Sequence, residues 1–307
     1  MSDMTENTIT SSQQSIMVET PFQRFCIEFF ESKIATTALA VFGIIVLLAI
    51  FAPWITPQNP YDLAQVSVMD GRLPPGSAAF DGFTMWLGSD GSGRDLYSAI
   101  LYGLRISLTV GLASGGIALI IGMAIGLIAA YAGGRIEAII MRIVDLQLSF
   151  PASLVALMMV AALGKGVDKI ILALVIAQWA YYARTVRATA LVERGKEYVE
   201  AAQCLGISRV RIVFRHILPN CMAPLIVVGT VQTASAISLE ATLSFLGVGL
   251  PQTEPSIGVL IANGFEYMLS GRYWISVFPG LALLLTVVSI NLVGDHLRDV
   301  LNPRLKK

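Results

Sequence analysis

Apolar residues run through this chain in long, nearly unbroken stretches, and polar residues gather between them. Six runs stand out, at 34–61, 106–134, 146–164, 170–183, 217–239 and 273–294. About 20 apolar residues cross a bilayer as a helix. Four of the runs are comfortably long enough, and 146–164 just suffices. The run 170–183 is short and needs polar ends, or a snorkelling arginine such as Arg184, to reach both surfaces. The pattern predicts an all-α membrane protein with six transmembrane helices, the first over 34–55.

The stretches between the runs organise the rest. Residues 1–20 are rich in Ser, Thr and Gln and read as a disordered cytoplasmic tail. This leader is not a basic n-region, so the first apolar run reads as an uncleaved anchor. Residues 21–33 set Phe22, Phe25, Cys26, Phe29 and Phe30 at helical spacing, which predicts an interfacial helix. Residues 56–105 form the one long external, periplasmic segment. It is broken by Pro57, Pro60, Pro74 and Pro75, with turn chemistry in GSDGSGRD at 88–95. A calcium loop there is excluded, because Arg94 stands where a ligand belongs. Residues 106–296 hold the remaining spans, and 297–307 form a short cytoplasmic tail.

The second run carries small residues every fourth position, at Ala118, Gly122, Gly126, Ala130 and Gly134. Such rows let helix backbones approach closely in lipid. The row predicts a packing face, either inside the subunit or against a partner. Asp145 and Glu240 fall near predicted span ends, which points to interfacial solvation. No span carries a central charge, and that counts against a proton-coupled carrier or a voltage sensor.

The loop between the fourth and fifth runs, 184–219, is patterned differently. Tyr198, Ala201, Ala202 and Leu205 fall at i, i+3, i+4 and i+7, and Val210, Val213, Phe214 and Ile217 repeat that spacing. Gly206 can end the first helix in a left-handed conformation and Ser208 can cap the second. Pro219 blocks continuation and can open the fifth span. The prediction is two short amphipathic helices hinged at Gly206. Their exposed arginines, Arg209, Arg211 and Arg215, can face lipid phosphates or a partner.

Composition narrows the function. The chain is 55% hydrophobic and 14% charged with zero net charge, so nothing favours nucleic acid. Cys26, Cys204 and Cys221 lie far apart, with neither disulfide nor metal spacing. Ser114 sits between small residues in a span, but His216 and His296 fall at span ends, which argues against an intramembrane serine protease. Neither Gly-Lys pair, at 164–165 or 195–196, belongs to a phosphate-binding loop. No catalytic or metal-binding constellation is present in the sequence. The residues alone point to a docking surface on the loop, and leave a secondary transporter, a channel or a membrane scaffold open. Fifteen of the 21 lysines and arginines fall on the side of that loop and of both termini, which places them in the cytoplasm.

Glu200-Ala201-Ala202, Gly206 and the HILP at 216–219 resemble the EAA loop of permease subunits of binding-protein-dependent ABC importers. GSDGSGRDLYSAILYGLRISL (88–108), ATLSFLGVGLPQTEPSIGVLI (241–261) and the stretch 278–307 are similar to the C-type permease of the dipeptide, oligopeptide and nickel subfamily. His216 stands where isoleucine is usual, Ser89 where threonine is frequent and Ala99 where arginine is frequent. The resemblance implies a type I, EAA-loop permease in a bacterial inner membrane. It implies a homologous B-type permease as heterodimer partner, two cytoplasmic ABC ATPase subunits and a periplasmic solute-binding protein. ATP and magnesium would be used by the ATPases, with no cofactor bound by this chain. The coupling helix would cover about 197–205, with Glu197, Glu200, Ala201, Ala202, Leu205 and Gly206 at the ATPase. Arg209, Phe214, Leu218 and Pro219 would form the second half of the loop. The solute implied is a di- or oligopeptide, with nickel chelates or glutathione as alternatives.

Overall fold

The computed structural model describes residues 21–251, 254 and 256–301; the tail expected at 1–20 and residues 302–307 lie outside the described residues. A first helix, α1 (Pro21–Glu31), ends at Ser32. The Ser32 hydroxyl accepts from Ala35 N at 3.3 Å and so caps α2 (Lys33–Ile55). Phe29 of α1 is buried, with its ring 5.1 Å from His296 of the last helix, α11 (Trp274–Leu301).

The external segment is shorter than its sequence suggests. It holds a small antiparallel hairpin, β1 (Ser77–Ala78) with β2 (Thr84–Met85). Asp95 then caps α3 (Leu96–Ala132), its carboxylate accepting from Ser98 N at 2.8 Å, while Gln58 accepts from Asp95 N at 2.6 Å. Residues 96–105 therefore belong to a continuous helix of 37 residues, about 55 Å long at 1.5 Å per residue.

The third apolar run does not cross as one helix. It is split between α4 (Gly134–Ser149) and α5 (Ala152–Leu163), which meet at 90°. Pro151 is the cause. Its ring disfavours helical geometry at the preceding residue, and Phe150 is extended at φ −95°, ψ 138°.

The fourth run errs the other way. α6 (Val167–Arg194) extends through 28 residues, about 42 Å. Residues 184–194, expected in the loop, continue the helix. α6 lies at the centre of the bundle, and its polar residues are spent on neighbours. Gln178 Nε2 donates to Gln232 O at 3.1 Å, and Arg187 and Arg184 pair with Glu137 and Asp145 of α4. Among the described residues, four helical stretches are by themselves long and apolar enough to span a bilayer: α2, α3, 209–245 and α11. α4 with α5 makes a fifth if the bent pair counts as one.

Two rows of small residues set the packing. Along α3, Gly122 and Gly126 meet α6 so closely that a Cβ on them would lie 2.4 Å from Trp179 O and 2.6 Å from Ala183 O. Ala118 and Ala130 of the same row are buried. About three turns nearer the start of α3, on nearly the same face, Gly111 and Gly115 face Ile237 and Thr233 of α9 (Leu218–Phe245). The row thus serves packing within the subunit. Gly134 leaves it, because it opens α4 at φ 55° and a Cβ there would meet no atom within 4 Å.

Glu240 corrects an expectation. It is fully buried rather than solvated, since α9 runs on past it and α10 (Ile257–Phe265) folds back across. Ser107 of α3 donates to it at 2.7 Å and Ser244 at 2.8 Å, which satisfies a carboxyl that burial alone would make costly.

Because the α3–α6 contact is backbone against backbone, Gly122→Leu is expected to force the helices apart and destabilise the chain by about 3 kcal/mol or more. Gly116→Leu, at a glycine with no neighbour within 4 Å, is expected to leave thermal unfolding of the solubilised protein unchanged. Equal melting temperatures for the two variants refute this packing role.

Candidate functional site

The polar insert is shorter than its sequence limits, because α6 claims its first eleven residues and a helix continuous with α9 claims its end. What stands clear of the bundle is α7 (Glu197–Cys204), a turn at 205–208 and α8 (Arg209–Ile212). Gly195 ends α6, and Lys196 in extended geometry opens α7. Glu197 and Glu200 lie in the first turn of α7, where the helix dipole favours carboxylates. Gly206 closes the helix at φ 71°, and Ile207 N donates back to Ala202 O at 3.2 Å. A side chain at 206 meets no neighbour, so backbone geometry alone demands glycine there.

The inward face of α7 differs from the expected stripe. Val199 and Ala202 are buried, in one apolar cluster with Ala190, Ile212 and Ile217. Ala201 is exposed, Leu205 is 79% exposed, and Tyr198 is only 39% exposed. Ala201 and Leu205 are therefore turned outward beside Glu197 and Glu200, whereas Ala202, expected at the ATPase, packs inside the subunit and Tyr198 turns back toward Glu193 and Asn220. On the second half, Val210 (68%) and Phe214 (62%) are also exposed, and Ile217 is buried.

Pro219 does not stop the helix. α8 passes into a π-helical turn at Val213–Ile217 and then directly into α9. Proline at 219 has no N–H and crowds the carbonyl of residue 215. Widening the turn to i→i+5 bonds absorbs both defects. Ser208 stands at the N-cap of α8 without a side-chain capping bond. Arg209, Arg211 and Arg215 are all exposed, and Leu218 is half-buried at the start of α9.

α7 is tied to both long helices by side chains that the sequence pattern did not single out. Glu193, at the end of α6, is buried and accepts from Lys196 Nζ at 2.5 Å and from the Tyr198 hydroxyl. Asn220 of α9 donates to the Tyr198 hydroxyl at 3.2 Å and to His216 O at 2.7 Å. Burial and the Glu193 carboxylate beside it push the Tyr198 hydroxyl up to about 12. It remains a protonated donor at neutral pH. The signals were present in Lys196 three residues after Glu193, and in Asn220 directly after Pro219. The residue after Glu193, Arg194, donates to Ala130 O at 3.0 Å and lies over the Tyr131 ring, fastening α6 to the end of α3.

The Tyr198 hydroxyl, the Glu193 carboxylate and the Asn220 amide are engaged in seating α7. The arrangement presents a short, firmly seated helix with an acidic and apolar outer face, at one end of a membrane bundle.

Comparison with known proteins matches this architecture. Residues 122–307 match the family described as binding-protein-dependent transport system inner membrane component, and 20–75 match the N-terminal transmembrane domain of oligopeptide transport permease C. The dipeptide transport system permease protein DppC of Escherichia coli is 39% identical over 307 residues, covering 100% of each chain. The di/tripeptide transport system permease protein DppC of Pseudomonas aeruginosa is 38% identical over 297 residues, 96% of each chain. Among solved structures, the inward-facing MetNI methionine ABC transporter superposes with a TM-score of 0.54 at 20% identity, over 66% of this chain and 96% of that one. The bundle built on the α3–α6 contact, with its seated outward helix, is a multi-pass inner-membrane protein of the binding-protein-dependent transport system family, to which this chain belongs.

Proposed function

We propose that this chain is the permease subunit of an ATP-driven importer for di- or oligopeptides, and that α7 is the helix on which a cytoplasmic ATPase subunit docks. The observation that carries the reading is the orientation of α7. Ala201, Leu205 and both carboxylates face outward, yet the helix is anchored to α6 and α9 through Glu193, Tyr198 and Asn220. A helix held rigidly with its apolar side free is shaped for insertion into a groove on another protein.

In this reading ATP and magnesium act on two separate ATPase subunits. A homologous B-type permease completes the pathway, and a periplasmic solute-binding protein delivers the solute. The termini and α7 lie on the cytoplasmic side. Nucleotide binding drives transport only through different affinities for two packed states of the assembly. The peptide relatives favour peptides over nickel or glutathione as the solute.

The reading is tested by uptake of a labelled dipeptide in cells that depend on this chain, with the ATPases quantified after co-purification. Glu200→Arg reverses the charge of the outer face, and Gly206→Val puts a β-branched residue at φ 71°. Both are expected to insert normally, lose the ATPases and abolish uptake. Normal transport by both variants overturns the docking role.

The seating of α7 is checked separately. Tyr198→Phe removes a hydrogen bond to a buried carboxylate, worth about 1–2 kcal/mol. Amide hydrogen exchange across 197–206 is expected to rise roughly tenfold, with the cores of α3 and α6 unchanged. Unaltered protection shows that Tyr198 does not hold the helix.

A further inference from the structure

A groove runs between the end of α3 and the α8–α9 junction, outside the docking face of α7. Its volume is about 520 Å³, and its lining is almost wholly apolar, including Met123, Leu127, Ile128, Val210 and Phe214. Among the described residues, Arg209 is the one charged group in that lining. Tyr131 also lines it, and the Arg194 guanidinium lies 5.5 Å from the centre of the Tyr131 ring. Basic groups therefore sit at the α7 end of the groove.

We infer that this groove binds one acyl chain of an anionic phospholipid, from the leaflet on the α7 side, with the headgroup phosphate at Arg209. Three features select that occupant. The first is depth. The α3 lining runs from Ile120 to Ala132, about 18 Å at 1.5 Å per residue, close to half of a hydrocarbon core of about 30 Å. The second is size. About 520 Å³ along some 18 Å of α3 gives a mean cross-section of about 30 Å², which suits a slender acyl chain lying lengthwise. The third is charge. A basic residue closes the end of an apolar trough at headgroup level, as an anionic lipid requires.

The inference depends on membrane residence and not on which solute is carried. Native mass spectrometry of the chain, purified with its natural assembly and exchanged into phosphatidylglycerol or phosphatidylcholine, tests it. One phosphatidylglycerol is expected to stay bound per copy, with phosphatidylcholine lost. Arg209→Gln is expected to lower retention about fivefold and Arg209→Lys to restore most of it. Ala124→Trp, which fills the groove, is expected to abolish retention. A photoactivatable phosphatidylglycerol on the unsubstituted assembly is expected to label 120–132 and 209–218, which keeps the test independent of how the variants fold. Equal retention of both lipids, retention unaffected by Ala124→Trp, or cross-linking of Phe214→Cys to a partner protein overturns the assignment.

Discussion

The close approach of α3 and α6 is the constraint on which everything else rests. In lipid, apolar side chains gain little by leaving their surroundings for one another, so helix association relies on dispersion and geometry. Gly122 and Gly126 let the α6 backbone come within contact of α3, with Ala118 and Ala130 continuing the same face. That contact buries a helix whose composition is too polar to stand in lipid alone. Gln178 and Tyr182 are buried within the bundle, and Arg184 and Arg187 are spent on α4. α9 then closes on the same face of α3, nearer its start, through Gly111 and Gly115. Glu240, held by Ser107 and Ser244, joins the far ends of those two helices by hydrogen bonds rather than by apolar burial.

The outward helix inherits its position from this core. α7 has only eight residues, too few to be stable alone. It persists because Val199 and Ala202 complete an apolar cluster already built by α6 and α9, and because Tyr198 bridges Glu193 and Asn220. The free face is thereby released from any structural duty. Its exposed Leu205 and Ala201 can serve recognition without weakening the fold.

Much of this was legible in the sequence, for reasons particular to each element. The turn at Gly206 was readable because a left-handed residue after a short helix is a local requirement. The small-residue row was readable because close helix contact in lipid admits few side chains. Which side of α7 faces inward was not. The familiar rule buries the apolar stripe, but Ala201 and Leu205 belong to the surface kept open, and the buried pair Val199–Ala202 is too short a pattern to stand out. The length of α6 was hidden for a related reason. Hydropathy measures a side chain's preference for lipid, while α6 is surrounded by protein and tolerates polar residues up to Arg194. The break between α4 and α5 was written in Pro151, yet a run of apolar residues on either side masked it. Glu240 misled because its hydroxyl partners come from positions 107 and 244, one of them distant in sequence.

The unbroken course of α6 has a mechanical meaning. A stiff rod of 28 residues, about 42 Å long, runs through the bundle and ends beside α7. Tilting such a rod by about ten degrees about its middle moves each end through about 4 Å. The 90° elbow between α4 and α5 has no comparable reach, because force applied to one arm rotates the joint. Of the two neighbouring elements, only α6 is long enough to act as a lever, and the α4 arm of the elbow is pinned to it by Arg184 and Arg187. With α3 as its fulcrum at Trp179–Ala183, near the middle of the rod, a displacement imposed beside α7 is carried to the opposite membrane surface in the reverse direction and with similar size.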